Sequence, residues 1–258
     1  MKVVILAGGK GTRISEETIL RPKPMIEIGA RPILWHIMRW YASFGLDEFI
    51  ICCGYKGHMI KDYFLHYGEY QSDCQYGLGG SKTSIEMVSS KKDTWKVTLA
   101  DTGRDTLTAG RILQIRKYVD DEPFMLTYGD GVSDVDINEL LAFHNSHKGC
   151  VTITTTQPIG RFGTISMDDD SGQIKGFHEK LRGEQAFVNA GFMVMQPDVF
   201  DYLGDGGYML EDVPFSNLVA DGQLYAYKHD GFWSPMDTIR DKEFLEKLWS
   251  SNQAPWKV

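Results

Sequence analysis

The sequence has no long apolar run and fewer basic than acidic residues. Its 258 residues include 27 Lys and Arg against 35 Asp and Glu, a formal net charge of −8. Nucleic acids and anionic membranes attract basic surfaces, so this balance argues against either as the main partner. The apolar run Phe49–Cys53 stops at Gly54, well short of the roughly 18 residues that a membrane span needs.

Secretory and cysteine signals are equally sparse. The first apolar run, Val3–Ala7, has five residues, whereas a secretory leader needs roughly 7 to 15. We therefore expect a cytoplasmic protein. The four cysteines, of which Cys52 and Cys53 are adjacent, show no Cys-x-x-Cys or Cys/His spacing. They fit reduced core thiols better than disulfides or a structural zinc site.

Alternating apolar segments predict an α/β fold. Lys2–Ala7, Glu48–Cys53 and Pro123–Tyr128 have the continuous apolar character of strands buried on both faces of a parallel sheet. Strand, helix and strand in succession imply a right-handed crossover, so we expect a doubly wound, mostly parallel, Rossmann-like sheet. Further strands are predicted at Ser84–Val88 and Trp95–Leu99, and helices at Pro32–Phe44, Lys56–Tyr67, Ile112–Val119 and Ile137–His147, the last capped by Asp136.

The later part of the chain is more typical of antiparallel pairing. Cys150–Thr156 alternates apolar residues with threonine, and Gly163–Met167 with Gly172–Phe177 predicts a hairpin. Asp241–Trp249 predicts an amphipathic helix. No repeat or shift in composition divides the sequence. We therefore expect one domain over residues 1–258, with a small β-rich insertion and a C-terminal extension.

A glycine-rich loop, Gly8–Arg13, follows the first predicted strand. Its glycines let backbone N–H groups approach a phosphate or a base closely. The loop is not a Rossmann fingerprint, because Ile14 stands where the third glycine belongs, and it lacks the Gly-Lys-Ser/Thr of a P-loop. The alternative to ligand binding is an ordinary tight turn with solvated cations. The cations near the loop, which suit a polyphosphate, are Lys10, Arg13, Arg21 and Lys23.

Prolines flank one of these cations, in Pro22-Lys23-Pro24. They fix φ on both sides of Lys23 and hold it in an extended backbone of low entropy. Such a lysine can serve as a positioned charge for a transferring phosphoryl group. The alternative is a proline-rich connector with an exposed lysine.

Four motifs, in their identity, order and spacing, resemble the sugar-1-phosphate nucleotidyltransferases. They are Leu6–Arg13, Pro22–Met25, Tyr128–Gly131 and Phe177–Lys180. Other segments resemble the members of that family that use CTP and glucose 1-phosphate, and the likeness covers nearly the whole chain. These segments are Ser15–Thr18, Ile33–Met38, Cys52–Gly57, Val97–Leu99, Asp101–Gly103, Gly160–Gly163, Gly231–Trp233 and Pro235–Thr238.

The resemblance implies that the phosphate of glucose 1-phosphate attacks the α-phosphorus of CTP, with Mg²⁺, to give CDP-glucose and pyrophosphate. A phosphate is already an anionic nucleophile, so positioning and charge stabilisation suffice. The family likeness further implies a nucleotide-binding half, 1–130, and a sugar-phosphate-binding half, 131–258. It also implies a symmetric homo-oligomer that supplies CDP-glucose for surface polysaccharides such as the lipopolysaccharide O-antigen.

The resemblance also implies roles for individual residues. Lys23, Arg13 and Asp130 carry the chemistry, while Asp130 and Asp237 bind the metal. Glu179, Lys180 and Asn189 bind the sugar phosphate. The nucleotide-binding residues are Leu6, Ala7, Gly8, Gly9, Gly11, Thr12, Arg13, Lys23, Arg111 and Gly129. The alternatives are a turn residue after a strand for Asp130 and a surface charge at a helix start for Arg111.

Three positions of the expected ligand pocket depart from the family pattern. Leu181 replaces proline, and Ala190 and Ala109 each replace glycine. A methyl group changes specificity by about 1 to 3 kcal/mol, so these changes put the sugar in question more than the reaction. Two alternatives stay open: the same chemistry on another acceptor or nucleoside triphosphate, and a subunit that binds nucleotide without turnover. A subunit that only binds nucleotide would need neither Lys23 nor both of the predicted metal ligands, Asp130 and Asp237.

Overall fold

A computed structural model describes residues 1–78, 84–90, 93–157, 164–167, 174–178 and 186–258. These ranges do not include Glu179, Lys180 and Leu181, the segment Gly160–Gly163, or the tip of the predicted hairpin at 168–170. Within the ranges, no helix is long and apolar enough to cross a membrane.

Strands and helices alternate along most of the chain. The strands are β1 Lys2–Leu6, β2 Glu27–Ile28, β3 Arg31–Pro32, β4 Glu48–Cys53, β5 Ser72–Gly77, β6 Ser84–Ser90, β7 Lys96–Asp101, β8 Phe124–Tyr128, β9 Gly131–Ser133, β10 Val151–Thr156, β11 Thr164–Met167, β12 Ile174–His178, β13 Val188–Asn189, β14 Met193–Met195, β15 Leu224–Lys228 and β16 Trp233–Pro235. The α-helices are α1 Ser15–Thr18, α2 Ile33–Ser43, α3 Gly57–Leu65, α4 Tyr67–Tyr70, α5 Thr108–Val119, α6 Ile137–Asn145, α7 Val213–Ala220 and α8 Ile239–Ser250. Short 3-10 turns cover Thr12–Ile14, Lys23–Met25 and Pro197–Tyr202.

A central sheet organises these elements in the order β13-β10-β14-β8-β1-β4-β7, with β15 beside β10. β1 lies parallel between β4 and β8, and β7 continues the parallel part. β14 joins β8 antiparallel and connects it to β10. The predicted α/β fold with a mostly parallel sheet is confirmed, and strands from both halves of the chain share the sheet.

The sheet is buried on both faces. Val3 and Ile5 of β1 point into a core that includes Leu34 of α2. Val4 and Leu6 point into the opposite core, which includes Ile112 of α5. Burial of alternate residues on opposite sides explains why β1 is a continuous apolar run rather than an alternating one.

Four small antiparallel pairs lie outside the central sheet in the part of the chain that the structure describes, and one of them joins β2 to β3. β11 pairs with β12, which confirms the predicted hairpin strands. β5 pairs with β6, although β5 was not predicted because its polar sequence shows no apolar alternation. β16 pairs with β9, placing Pro235 opposite Gly131. Just beyond this pair, the Met236 N–H donates to the Asp130 carbonyl over 2.8 Å.

Helix α5 begins four residues before the predicted start, at Thr108 instead of Ile112. The segment Thr108–Gly110 has the composition of a loop, because glycine is unfavourable inside a helix. Gly110 is needed there for close packing: a Cβ atom at this position would lie 2.8 Å from the Gly206 carbonyl oxygen. By contrast, α6 begins where predicted, with the Asp136 carboxylate accepting from the Asn138 and Glu139 N–H groups.

All four cysteines are free thiols. Cys52, Cys53 and Cys150 are buried, and burial raises their pKa values to about 12, 11 and 12. Cys74 is half-buried. The expectation of reduced thiols is met, and the three buried ones are protonated at neutral pH and therefore poor nucleophiles.

Candidate active site

A cleft of about 850 Å³ opens at the carboxyl ends of β1 and β8. Ligands of open parallel sheets collect at this edge, where the loops after the strands meet. The loop after β1, the residues after β8 and the segment after β16 all line the cleft. All the predicted nucleotide-binding residues are among those that line it, from Leu6 to Gly129.

Close packing shapes the glycine loop after β1. Gly11 has φ of 63°, and a Cβ atom there would lie 2.7 Å from the Thr18 methyl. A Cβ atom on Gly8 would lie 2.1 Å from the Arg111 guanidinium. At Gly9, by contrast, a Cβ atom would meet nothing within 4 Å. Gly8 and Gly11 are therefore required by the surrounding protein, while Gly9 leaves open space at the cleft.

Lys23 bridges two carboxylates from distant parts of the chain. Its Nζ lies 2.8 Å from Asp130 Oδ2 and 2.6 Å from Asp237 Oδ1. Arg13 Nη1 approaches the other oxygen of Asp237 at 2.6 Å. The β9–β16 pair explains the convergence, since Asp130 precedes β9 and Asp237 follows β16. Lys23 is only 7% exposed, so the alternative of a connector with an exposed lysine is wrong, and Lys23 is the buried member of an ionic network.

This network sets the charge states of its members. Burial by itself lowers the pKa of Lys23, but the charges and hydrogen bonds of Asp130 and Asp237 outweigh burial and raise it. Burial by itself raises the pKa of Asp237, but Lys23 and Arg13 outweigh burial and lower it. At neutral pH the ammonium and the Asp237 carboxylate are therefore both charged.

The same two carboxylates have the chemistry of a site for a hard divalent cation. Asp130 and Asp237 already converge on one positive charge, the Lys23 ammonium. Mg²⁺ in proteins usually takes one or two carboxylates and completes its shell with water and phosphate oxygens. Across the described ranges, no group of three or more His, Cys, Asp and Glu side chains could hold a metal without such help. The donor set fits an ion that is shared with a bound phosphate.

Arg111 is buried beneath the glycine loop. It is 4% exposed, and its guanidinium donates to the carbonyls of Gly8 at 3.0 Å and Gly103 at 2.8 Å, and to Thr102 Oγ1 at 2.7 Å. Burial lowers its pKa. The alternative of a surface charge at a helix start is wrong, because α5 begins three residues earlier and points Arg111 into the protein. Arg111 positions the loop.

The predicted cluster of four cations is divided by the structure. Lys10, Arg13 and Lys23 line the cleft, whereas Arg21 lines a separate cavity of about 910 Å³ and pairs with Glu27 at 3.2 Å. Proximity in sequence was misleading here, because the chain turns at Lys23–Met25 and directs Arg21 away from the cleft. The cavity beside Arg21 is slightly larger, but the ionic network of Lys23 is in the cleft.

Two of the three departures from the family pattern do not line the cleft. Ala109 is fully buried in the core beneath α5, and Ala190 is 5% exposed beside β10. The expectation that they fall in the ligand pocket is wrong, because both methyl groups pack inside the protein.

Asn189 does line the cleft, together with Tyr128 and Glu211. The sequence did not indicate Glu211 as a site residue, since no motif surrounds it.

Comparison with known proteins accounts for this arrangement. Residues 2–241 match the model of a family described as nucleotidyl transferases. The chain belongs to the nucleotidyl transferase family. It is an enzyme of this class, and such enzymes act on nucleoside triphosphates and sugar phosphates and generally use a divalent metal.

Several known proteins resemble this nucleotidyltransferase in sequence or in fold. It is 48% identical to glucose-1-phosphate cytidylyltransferase of Salmonella typhi, over all of this chain and 99% of that protein. It is 28% identical to the mannose-1-phosphate guanylyltransferase catalytic subunit beta of Dictyostelium discoideum, over 96% of this chain and 64% of that protein. The crystal structure of HddC from Yersinia pseudotuberculosis has the same fold, with a TM-score of 0.67 at 19% identity, covering 96% of this chain and 99% of that one.

Proposed function

We propose that this nucleotidyltransferase moves the cytidylyl group of CTP to glucose 1-phosphate, giving CDP-glucose and pyrophosphate. The bridge of Lys23 between Asp130 and Asp237, beside the glycine loop, is the observation that supports the reaction. The substrate pair is supported by sequence identity, which is 48% to a glucose-1-phosphate cytidylyltransferase and 28% to a mannose-1-phosphate guanylyltransferase subunit.

The protein's part in this reaction is to hold charges around the reacting phosphates. An oxygen of the sugar phosphate forms a bond to the α-phosphorus as the bond from that phosphorus to the oxygen shared with the β-phosphate breaks, and this oxygen leaves with pyrophosphate. Lys10 and Arg13 face the triphosphate, and Lys23 neutralises charge that develops at the α-phosphate. Asp130 and Asp237 would hold Mg²⁺, which supplies further charge neutralisation and orientation.

Release of pyrophosphate from purified protein tests this function. With Mg²⁺, CTP and glucose 1-phosphate present, we expect release that stops when any one component is omitted. A panel of four nucleoside triphosphates and several sugar 1-phosphates then separates the alternatives. Preference for UTP or dTTP would contradict the cytidylyl assignment, and preference for another sugar would contradict the acceptor. Binding of CTP with no turnover on any acceptor would favour the non-catalytic subunit.

We further propose that the enzyme works in the cytoplasm as a homo-oligomer and supplies CDP-glucose for surface polysaccharides. The free thiols support a reducing compartment. CTP and a sugar 1-phosphate are its expected partners, with neither nucleic acid nor membrane, as the net charge of −8 suggests.

A further inference from the structure

The Glu211 carboxylate has no role in the proposed chemistry. Glu211 lines the cleft, and its Oε1 accepts a hydrogen bond from the Tyr128 hydroxyl. That hydroxyl in turn accepts from Asn189 Nδ2 at 3.4 Å. The Asn189 Oδ1 accepts from the Gly191 N–H at 2.9 Å, which fixes the orientation of the amide. Three side chains thus form a directed chain of hydrogen bonds that ends at Glu211.

The backbone that carries Glu211 is held firmly. The preceding residue, Leu210, is fully buried, and its N–H donates to Thr108 Oγ1 at 2.6 Å. The Tyr208 carbonyl accepts from the Ala109 N–H at 3.2 Å, which ties the same segment to the start of α5. Hydrogen bonds therefore hold the segment that carries Glu211 in place, and its side chain needs little ordering when a ligand binds.

The charge of Tyr128 is fixed as well. Burial, followed by the charge of Glu211, raises the pKa of Tyr128 well above its ordinary value. The residue is a phenol at neutral pH, and its hydroxyl therefore donates a hydrogen bond to the carboxylate. Gly191 packs against the Tyr128 ring, where a Cβ atom would lie 3.1 Å from a ring carbon. The ring and its hydroxyl direction are thus constrained from two sides.

The polarity of the cleft shows what Glu211 can bind. A carboxylate only accepts hydrogen bonds, and Tyr128 is the one side chain that donates to it within the described ranges. Because Glu211 is exposed, its remaining lone pairs are open to donors from water or from a ligand. The cations Lys10, Arg13 and Lys23 line the cleft beside the glycine loop and attract phosphates. The Glu211 carboxylate, in contrast, repels phosphates. A neutral group rich in hydroxyls is the complementary ligand.

We propose that Glu211 is a specificity-determining residue that accepts hydrogen bonds from ring hydroxyls of the sugar phosphate, with Tyr128 as its positioning residue. The inference rests on the proposed function, since it assumes that the acceptor is a sugar phosphate. It does not depend on which hexose is the natural one, because any hexose phosphate offers hydroxyl donors.

Glu211→Gln tests the proposal, because it removes the charge and keeps the size. Hydrogen bonds to charged groups contribute about 1.5 to 3 kcal/mol, so we expect the KM for glucose 1-phosphate to rise roughly 10- to 100-fold. The KM for CTP and the Kd of CTP measured by calorimetry should stay the same. Asp212→Asn is the matched control: the neighbouring carboxylate does not line the cleft and makes no cap hydrogen bond to α7.

Deoxy analogues of glucose 1-phosphate, each lacking one hydroxyl, identify the contact. The unmodified enzyme should discriminate against at least one analogue, and Glu211→Gln should lose that discrimination. Tyr128→Phe should raise the same KM by a smaller factor, because the carboxylate stays but loses its anchor. If Glu211→Gln raises the KM for CTP equally, its role is structural and the proposal is overturned.

Failure of the two proposals can be told apart. If the unmodified enzyme prefers another sugar phosphate, the acceptor assignment fails, and Glu211 is then tested with deoxy analogues of that acceptor. An unchanged acceptor KM in Glu211→Gln, in an enzyme that turns over normally, overturns the role of Glu211 alone. The same holds if every deoxy analogue is affected equally in both enzymes.

Discussion

Lys23 illustrates how one residue combines a structural and a chemical role. Its ammonium satisfies two carboxylates that would otherwise repel each other in a partly buried site. We expect bound phosphates to compete for the same ammonium, which would leave Asp130 and Asp237 available to the proposed metal ion. Lys23 would then couple nucleotide binding to metal binding.

Replacing Lys23 by methionine should separate these roles. We expect kcat to fall by roughly 100- to 1,000-fold, the usual cost of losing one preorganised charge, with a smaller change in the Kd of CTP. Steady-state rates and calorimetry measure the two quantities. Lys61→Met is the control, since Lys61 is half-exposed and pairs with Asp101 outside the cleft lining. An unaltered kcat would remove Lys23 from the chemistry.

Asp237 should make folding stability depend on pH in the acidic range. Its pKa is lowered in the folded protein, so its stabilising contribution is complete above the unfolded pKa of about 3.9 and is lost as the pH falls through the folded value. The free energy of unfolding of the native enzyme should therefore approach that of Asp237→Asn below about pH 4. Urea unfolding at several pH values measures this difference. A constant difference from pH 7 to pH 3 would contradict the ionic network.

At the scale of elements, the start of α8 controls the position of Asp237. The Asp241 carboxylate accepts from the Asp237 N–H at 3.0 Å and from the Thr238 N–H at 2.8 Å, while Thr238 completes the capping box. A helix cap, which ordinarily only stabilises, here also fixes the backbone of a predicted metal ligand. The C-terminal helix, predicted from its sequence only as an amphipathic helix, thus reaches the site.

Asp241→Ala should consequently reduce both stability and activity. Losing the cap should cost about 0.5 to 2 kcal/mol, and misplacement of Asp237 should lower kcat by up to roughly 100-fold. Asp136→Ala is a matched control, because Asp136 caps α6 in the same way away from the cleft. Thermal unfolding and turnover are measured for both variants. Equal activity in the two would show that the cap does not position Asp237.

For the whole molecule, the exposed face of the β5–β6 pair bears on the predicted homo-oligomer. Tyr76, Ile85 and Met87 are 50%, 48% and 55% exposed, and Leu78 next to them is 83% exposed. Apolar side chains grouped in this way are typical of surfaces that contact another protein. They make this pair the place where we expect a second copy to pack.

Light scattering after gel filtration tests this expectation. The native enzyme should have a mass that is a multiple of 29.2 kDa, and the double variant Ile85→Asp, Met87→Asp should shift toward the monomer. Val219→Asp, a change of an exposed apolar residue on α7, should leave the mass unchanged. A native mass of 29.2 kDa would contradict the homo-oligomer.

The sequence predicts the parts of the molecule that local pattern determines. β1, β4 and β8 were predicted to within a residue or so, because strands buried on both faces are continuous apolar runs. The sequence did not predict β5, because a polar strand depends on its tertiary partners. It also did not predict the start of α5, because a glycine is accepted inside a helix only where tertiary packing requires it. The same limit applies to the site: the glycine loop is visible in the sequence, whereas Glu211 and the separation of Arg21 from the other cations depend on how distant segments meet.

The pairing of β1 with β8 has a consequence for how the enzyme is made. Val4 lies opposite Leu126 in the central sheet, so β1 pairs on this side with a strand that follows it by more than a hundred residues. Pairings of such long range form slowly. Asp237 leaves the ribosome later still, so a translation product that stops short carries the glycine loop without the second carboxylate. We therefore expect activity only once Asp237 has been synthesised and the β9–β16 pair has formed.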